Sequence, residues 1–357
     1  MKKSVTLADI GKELGVSTVT VSKALSGQKG VSEPLREKIR KLADDMGYQR
    51  PERSVRAEGH ITFGVIVAER YLEEMHSFYW KMYQELTAKA MAKDCFTLLE
   101  VVDAEAEQAL QLPRVLTQHR ADGLIVMGAF ARPYVRVLAE ETDVPLVALD
   151  TTIETGGRSF DAVVSDNIRG GYIMTNYLYE LGHRKIGFVG TVLATQSIEE
   201  RYLGFLRSGI EHGMTRENIV VSPDRDKTEG IIDMNRFFNV RPENMPTAFF
   251  CNCDVTAQRL IRKLESMGYR VPEDISVVGF DNFVVDDFDM IGITTYEINV
   301  SAMVAKAVHV LRHTIDNPAY SNGISYINGK FILRGSAKRI GPPIPFEAER
   351  DAGPLSV

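Results

Sequence analysis

A short segment near the N-terminus carries side chains of the kind that read the edges of DNA bases. Its exposed positions are Thr18, Val19, Ser22 and Lys23. A lysine can donate to guanine O6 and N7 or to a phosphate, and an apolar side chain can meet a thymine methyl group. Hydroxyl groups add hydrogen bonds to phosphates and bases. The chemistry indicated is recognition of duplex DNA.

Two short helices joined by a tight turn would position these side chains. Thr6 is placed to cap the first helix and Ser17 the second, and Gly15 supplies the positive φ on which the first helix ends. A third helix is predicted from Ser32 to Gly47. The pattern is a helix-turn-helix, and a three-helix bundle used only for packing or protein contact is the alternative. The apolar positions that repeat at helical spacing are Leu7, Ile10, Leu14, Val16, Val21, Leu25, Leu35, Ile39, Leu42 and Met46.

Charge is distributed unevenly along the chain. Residues 1–59 contain twelve Lys and Arg and eight Asp and Glu, a net charge of +4, whereas the other residues carry −10 of the total of −6. A basic head on an acidic body is expected when only the head meets phosphate. The asymmetry favours the DNA-binding interpretation over a bundle used for protein contact.

Two aspartates, Asp150 and Asp281, follow apolar runs that predict buried strands. Such runs, separated by helix-length segments, indicate parallel strands covered on both faces, and they fall into two series that predict two doubly wound sheets. Ligands bind beyond the carboxyl ends of such strands, so the pair favours a ligand cleft, with helix capping as the alternative. The predicted strands cover residues 63–67, 96–99, 124–127, 146–149, 186–189, 248–250 and 277–280.

Other residue types argue against catalysis, metal binding and membrane insertion. The sequence contains no GxSxG, GxxxxGK[ST], GxGxxG or HExxH motif, so no catalytic residue and no cofactor is expected. His309 and His313 have metal-ligand spacing without a third ligand, which favours a solvated helix face. Cys95, Cys251 and Cys253 form no CxxC pair and are predicted to be reduced thiols. With no apolar stretch of membrane length and no apolar signal core, a cytosolic protein is expected.

These motifs resemble those of the lac repressor (LacI/GalR) family of bacterial regulators, and the similarity continues to about Ile340. Because many short matches occur in one order, the chain is identified as a member of this family. The segments that carry the resemblance are VTLADI (5–10), GVS (15–17), TVSKAL (20–25), VS (31–32), REKI (36–39), DGLI (122–125), PLVALD (145–150), DN (166–167), GHRKI (182–186), RYLGF (201–205), PEDISVVGFDN (272–282) and TT (294–295).

The resemblance implies an α/β protein with a helix-turn-helix headpiece at residues 1–48, a hinge linker at 49–60 and a periplasmic-binding-protein-like core at 61–340. Lobe 1 of the core would comprise about 61–164 and 295–324, and lobe 2 about 165–294 and 325–340. Residues 341–357 contain four prolines and no leucine heptad, so we expect a disordered tail and a homodimer rather than a tetramer.

The family likeness also implies a function: a ligand-responsive repressor of a carbohydrate-utilisation operon that binds a palindromic operator as a dimer. A purine or nucleoside effector on the same architecture is one alternative. A sugar-binding receptor for transport is another, although it would need export and no DNA reader. The residues expected to contact DNA are Thr6, Ser17, Thr18, Val19, Thr20, Ser22, Lys23, Val55 and Arg56.

The linker departs from the family pattern. Many members have a Pro-x-x-x-Ala-Arg-x-Leu segment whose leucine wedges into the minor groove. Here Pro51, Val55 and Arg56 fit its beginning, but Glu58 stands at the leucine position. A carboxylate cannot replace an apolar wedge between bases. We expect this protein to bend its operator less than its relatives do, or to use Val55 as the wedge.

For the effector site, the resemblance implies that Arg201 and Asp281, both in the C-terminal lobe, bind hydroxyl groups of the ligand. A structural ion pair between them is the alternative. Phe78 and Tyr79 stand where the family often has a pair of aromatic residues that stack on a sugar, and core packing is the alternative there. Cys253 and Ile298 replace the usual Asn and Gln, which suggests a ligand with fewer hydroxyls or an apolar part, while Arg225 leaves an acidic or phosphorylated sugar possible. The full set of expected effector contacts is Phe78, Tyr79, Asp150, Ser197, Arg201, Arg225, Cys253 and Asp281.

Overall fold

The computed structural model describes residues 7–26, 31–46, 48, 60–72, 77–155, 158–215, 219–227, 230–283, 292–317 and 319–341. Its helices are α1 (Leu7–Leu14), α2 (Thr18–Ser26), α3 (Glu33–Asp45), α4 (Phe78–Met91), α5 (Ala104–Gln108), α6 (Arg114–Thr117), α7 (Arg132–Glu141), α8 (Asn167–Glu180), α9 (Gln196–Glu211), α10 (Met234–Phe237), α11 (Asp254–Ser266) and α12 (Val300–Asp316), with short 3-10 helices at Glu69–Tyr71 and Pro242–Asn244. None of these described helices is long and apolar enough to cross a membrane.

The strands are short, and most follow the predicted apolar runs. They are β1 (Ile61–Ala68), β2 (Cys95–Val102), β3 (Gly123–Met127), β4 (Leu146–Leu149), β5 (Glu154–Thr155), β6 (Arg158–Ser159), β7 (Asp161–Ser165), β8 (Ile186–Val189), β9 (Val220–Ser222), β10 (Ala248–Cys251), β11 (Ser276–Val278), β12 (Thr295–Glu297), β13 (Ile324–Ile327) and β14 (Lys330–Ile332).

The N-terminal helices α1, α2 and α3 pack together as a small bundle. Gly15 ends α1 with a φ of 65°, as the sequence predicts. The Ser17 Oγ accepts the N–H of Thr20 at 3.1 Å, which confirms the predicted cap of α2. Ser32 precedes α3 as expected, but its side chain makes no capping hydrogen bond, and Pro34 in the first turn fixes φ there instead. The buried side chains of the bundle are Ile10, Val21, Ala24, Ile39 and Ala43.

The larger sheet has the strand order β13-β7-β4-β3-β1-β2. The pairings of β1 with β2 and β3, and of β3 with β4, are parallel, and Val65 lies opposite both Leu99 and Ile125. The side chains of β3 and β4 are all buried, as continuous apolar runs predict for strands covered on both faces. β2 is the outermost strand, and it exposes part of one face to solvent.

The second sheet has the order β11-β10-β8-β9, with parallel neighbours throughout. Ala248 lies opposite Ile186 on one side and Ser276 on the other. The strand predicted at residues 277–280 ends earlier, at Val278, because the chain turns there into the positive φ of Asp281. The α/β architecture with parallel sheets and an N-terminal helix-turn-helix confirms the predicted fold class.

The chain divides into two compact units. The first comprises Met1–Glu69, Gln84–Ala162 and Ala305–Gly323, and the second comprises Arg70–Tyr83, Val163–Val304 and Ile324–Val357. This division differs from the predicted lobes at residues 70–83 and 295–304, both of which belong to the second unit. For the latter segment the reason is the antiparallel pairing of β12 with β14. The domain bounds stay a prediction, and the predicted linker up to residue 59 and the predicted tail beyond Gly341 lie outside the described residues.

Candidate functional site

Arg201 is held on α9 by an unusually close approach of that helix to α8. A Cβ on Gly204 would collide with the backbone of Ile168, and a Cβ on Gly171 would collide with the backbone of Arg201 itself. Only glycine permits this spacing. Thr195 caps α9, with its Oγ1 accepting the N–H of Ile198 at 3.2 Å. The backbone of Arg201 is therefore fixed by packing that does not involve its side chain.

The guanidinium of Arg201 is buried and faces neutral groups. Its Nε donates to Asn167 Oδ1 at 3.0 Å, and its Nη1 donates to the Asn252 carbonyl oxygen at 2.6 Å. The group also lies 4.0 Å from the centre of the Phe280 ring, within cation–π range. Only 6% of the residue is exposed, so these contacts define its orientation. Such a fixed fork can take two ligand oxygens at once.

Asp281 follows β11 in a left-handed conformation, with a φ of 88°. Its Oδ1 accepts the N–H of Phe283 at 3.0 Å. Burial raises the pKa of Asp281 to about 7, although the nearby Arg201 charge and the Phe283 N–H act in the opposite direction. No direct ion pair joins Arg201 and Asp281 within the described part of the chain. The alternative of a simple structural pair is therefore not the arrangement found.

Asp254, the first residue of α11, is a second buried carboxyl group beside Asp281. Its side chain packs on Gly279, where a Cβ would collide with Asp254 Oδ1. Burial and the charge of Asp281 raise the pKa of Asp254 well above its usual range. Burial beside Asp281 therefore favours the protonated form of Asp254.

Arg225 lies in a polar cluster with Asp224. Its Nη2 donates to Asp224 Oδ2 at 2.7 Å and to Asn252 Oδ1 at 3.1 Å. Asp224 is fully buried and also accepts from the Thr256 hydroxyl and the Thr191 N–H. The charge of Arg225 and these hydrogen bonds lower the pKa of Asp224 to about 2 despite its burial. The positive charge of Arg225 is therefore matched inside the protein.

Cys253 and Ser197 border this cluster. The Cys253 Sγ lies 3.2 Å from Thr256 Oγ1 and accepts from Arg225 Nη2 at 3.5 Å. Burial raises the pKa of the Cys253 thiol. Ser197, one turn before Arg201 on α9, has its Oγ 3.0 Å from Thr195 Oγ1. Asn252 connects the two halves of the site, since its side-chain Oδ1 accepts from Arg225 and its backbone carbonyl accepts from Arg201.

Aromatic side chains lie next to Asp281. The ring of Phe78 is 6.0 Å from that of Phe283, whose backbone N–H binds Asp281. Tyr79 stacks with Tyr71 at 4.6 Å. Phe78 and Tyr79 are both half-buried, so each keeps surface that a ligand could cover.

Asp150 belongs to the first unit. It follows β4 with a φ of 62°, and 8% of it is exposed. Its place at the carboxyl end of a parallel strand matches the prediction. Its role as an effector contact stays a prediction.

The DNA-reading residues are described only in part. Ser17 Oγ lies 3.0 Å from Thr20 Oγ1, and Thr18 begins α2. Thr18 Oγ1 donates to Glu141 Oε2 of α7 at 2.7 Å. The side chains of Val19, Ser22 and Lys23 lie outside the described part of the structure, as do Thr6, Val55 and Arg56 entirely.

The residues with possible metal or redox chemistry are His309, His313 and the cysteines. His309 and His313 stack at 4.1 Å on an exposed face of α12. Within the described ranges, no three metal-binding side chains gather into a candidate site. Cys95 and Cys251 are buried and free, and Cys251 packs in β10 as predicted.

Sequence reasoning missed part of the polar cluster. Asn252, Asp224 and Thr256 lie outside the segments that carry the family resemblance, and Asn167 lies in one of them but was given no role in the site. They become neighbours only when β8, β9 and β10 align in one sheet. The available signal in the sequence was the position of these residues. Each of them lies shortly after the carboxyl end of a strand.

Two family models match the chain. The model of bacterial regulatory proteins of the lacI family matches residues 6–51, and that of a periplasmic binding protein-like domain matches residues 175–337. The HTH-type transcriptional repressor PurR of Vibrio atlanticus (strain LGP32) is 26% identical over 339 residues, which are 94% of this chain and 99% of that protein.

Solved structures show the same fold at lower identity. The lac repressor dimer bound to operator and the anti-inducer ONPF is 20% identical with a TM-score of 0.63, covering 94% of this chain and 100% of that one. A LacI family regulator from Enterococcus faecium with bound ribose is 22% identical with a TM-score of 0.65, covering 78% of this chain and all of that one.

Proposed function

Because the chain belongs to the lacI family of bacterial regulatory proteins, whose members are ligand-responsive DNA-binding repressors, we propose that it represses a carbohydrate-utilisation operon and responds to a sugar. The headpiece and the core would then have different functions. The headpiece binds a palindromic operator, and the core binds the effector. Closure on the effector shifts the protein between conformations with different affinity for DNA.

The observation that carries the sugar proposal is the position of Arg201 near Asp281, without a direct ion pair, beside aromatic rings. The guanidinium is oriented by neutral acceptors, and Asp281 is a carboxylate for part of the population at neutral pH. Together they offer donors and acceptors for adjacent hydroxyls. Phe78 and Phe283 supply an apolar surface of the kind on which a sugar ring stacks.

The charge around Arg225 supports an uncharged effector. Its guanidinium is matched by the ionised Asp224 at 2.7 Å, so it has no surplus charge for a phosphate or carboxylate ligand. The phosphorylated sugar that the sequence leaves open is therefore the less favoured ligand.

A purine or nucleoside is the second candidate effector. It is favoured by similarity over nearly the whole chain to repressors named PurR. Cys253 and the buried Ile298, in place of the amides common in sugar binders, also suit a flatter and less hydroxylated ligand. A sugar-binding transport receptor is disfavoured by the headpiece.

The proposed assembly is a cytoplasmic homodimer. The outer strand β2 exposes Phe96, Leu98 and Val101, which are 53%, 39% and 45% accessible. An outermost strand with apolar side chains is a surface that a second copy can cover. A two-fold dimer presents two identical headpieces, as a palindromic operator requires.

Direct binding measurements test the effector. Calorimetry with ribose, glucose, cellobiose, hypoxanthine and guanine would identify the class of the ligand. The response to that ligand would be measured as the change in affinity for an operator selected from a random DNA library. We expect R201A and D281A to bind this operator normally and to lose the response to the effector. R207A is the matched control, because Arg207 lies on the same helix with its side chain 64% exposed.

Two results would contradict the proposal. If folded R201A or D281A kept the wild-type effector affinity, the site would lie elsewhere. If no selected DNA were retained by the wild-type protein at low salt, the headpiece would not be a DNA reader.

A further inference from the structure

The N-terminus of the proposed reading helix contacts another part of the same unit. Thr18 Oγ1 donates to Glu141 Oε2 at 2.7 Å, which joins the first residue of α2 to the last residue of α7. The backbones of α2 and α7 are neighbours there as well. Both residues are half-buried, so the contact covers them in part.

The two helix ends are complementary in charge. α2 has no acidic residue in its first turn, and its free N–H groups make that end partially positive. α7 ends in Glu140 and Glu141 with no basic residue in its last turn, and Asp143 follows shortly after. Carboxylates at the C-terminal end of a helix add to the negative end of its dipole. A positive helix end is attracted to this negative end.

We propose that the acidic end of α7, formed by Glu140, Glu141 and Asp143, is a docking surface for the reading helix α2 of the same chain, and that docking excludes DNA. The Glu141 carboxylate takes the hydrogen bond that Thr18 would otherwise give to a base or phosphate. DNA and the acidic end of α7 therefore compete for one surface. A docked headpiece lowers the apparent DNA affinity by the fraction of molecules that are docked.

A substitution that removes the charge of Glu141 but keeps the size of its side chain tests the competition between docking and DNA binding. E141Q should bind a mixed-sequence DNA duplex at low salt about fivefold more tightly than the wild-type protein, because the charge-assisted hydrogen bond to Thr18 is weakened. E105Q is the matched control, since it removes the same charge from an exposed residue of α5 that lies outside the proposed docking surface. Equal affinity in E141Q and E105Q would overturn the proposal.

Crosslinking tests the contact without DNA. The full-length variant with Thr18→Cys and Glu141→Cys, in a Cys253→Ser background, is treated with a short, reductant-cleavable bismaleimide. We expect a link within one chain, visible by mass, that is absent from each single-cysteine variant. Links only between chains, or no link, would overturn the intramolecular docking.

The linked protein then tests exclusion. It should lose binding to the duplex and regain it after the linker is cleaved. Unchanged DNA binding while linked would show that docking does not compete with DNA. The exclusion step rests on the proposed DNA-binding function. If the link forms but no variant binds DNA even after cleavage, the docking is supported and the proposed function fails.

Discussion

Arg201 and Arg225 carry the same charge in the second unit, but their guanidinium groups have different surroundings. Arg201 contacts the amide oxygen of Asn167, a backbone carbonyl and an aromatic ring, none of which cancels its charge. Arg225 contacts the ionised Asp224 directly. The charge of Arg201 is thus available to lower the pKa of Asp281, against the effect of burial.

Effector affinity should depend on pH through Asp281. Only its carboxylate accepts two ligand hydroxyls, and its pKa is about 7. Because the ionised fraction of such a group rises about tenfold between pH 6 and pH 8, the association constant should rise by about the same factor. Calorimetry across this range measures the effect.

D281N is the control for that dependence, since its amide does not titrate. The affinity of D281N for the effector should be lower than that of the wild-type protein and should not change with pH. A wild-type affinity that fell from pH 6 to pH 8 would contradict the assignment of Asp281 as the hydroxyl acceptor.

His183 should make stability depend on pH in the acid range. It is buried between Thr247 and Ser276 and contacts the Lys338 carbonyl, and burial lowers its pKa to about 4. The unfolded chain, with an ordinary histidine pKa of about 6.5, binds the proton first as the pH falls. His183 therefore contributes stability above pH 6.5 that is lost progressively down to about pH 4.

Urea unfolding of the wild-type protein and H183N measures this contribution. The difference between their free energies of unfolding should shrink by about 3 kcal/mol from pH 7.5 to 4.5. H119N, which replaces an exposed histidine, is the control for the loss of an imidazole. A constant difference for H183N would mean that folding does not change the pKa of His183.

Sequence motifs predicted some residues of the candidate site and not others. Arg201 and Asp281 stand in short segments that resemble a known family, so they could be assigned from the sequence. The raised pKa of Asp254 could not be predicted, because it depends on burial of the side chain against Gly279 and on the nearby charge of Asp281. Likewise, nothing in the sequence shows that Asp224 matches the charge of Arg225.

At the scale of elements, the contact between α8 and α9 decides where Arg201 lies. Gly171 and Gly204 let the two backbones approach within a distance that no larger residue permits. The same helices place Asn167 at the start of α8, where its amide meets Arg201. Helix packing and effector geometry are therefore coupled.

G204A should destabilise the protein by about 1 to 3 kcal/mol, because the added methyl group forces α8 and α9 apart. Alanine favours a helix by about 1 kcal/mol over glycine, so a net loss must come from this collision. Urea unfolding measures the change. L203A, at a neighbouring position that is 44% exposed, should stay within about 0.5 kcal/mol of the wild-type protein. A stabilised G204A would show that the helices can separate at no cost.

The elements most visible in the sequence are those buried on both faces. The apolar runs at β1, β3, β4, β8 and β10 predict strands at nearly their observed bounds. β7, β9 and the β12–β14 pair were missed, because their runs are short or mixed with polar residues. β12 and β14 owe their strand form to antiparallel pairing between segments more than thirty positions apart, which periodicity does not report.

At the scale of the whole molecule, positive charge is concentrated where DNA is expected to bind. Residues 1–59 have a net charge of +4 in a protein of −6. The acidic remainder repels phosphate, so DNA should approach through the headpiece alone. Because each phosphate contact of the headpiece releases counterions, the affinity for DNA should fall steeply with salt.

The departure at Glu58 leads to a prediction for the DNA in the complex. With a carboxylate at the usual wedge position, we expect either weak bending of the operator or a bend that depends on Val55. Circular-permutation assays with the wild-type protein and V55A measure the bend. A strong central kink that V55A leaves unchanged would exclude both possibilities.

The Asp224–Arg225 pair limits how this protein can evolve. Removing one partner of a buried ion pair costs about 3 to 5 kcal/mol, a large share of the stability of an ordinary domain. A mutation that freed Arg225 to accept an anionic ligand would therefore endanger folding before any new specificity could be selected. Adaptation to new ligands should proceed through substitution of neutral residues such as Cys253 and Phe78. The net charge of the ligands that the site accepts should then change little during evolution.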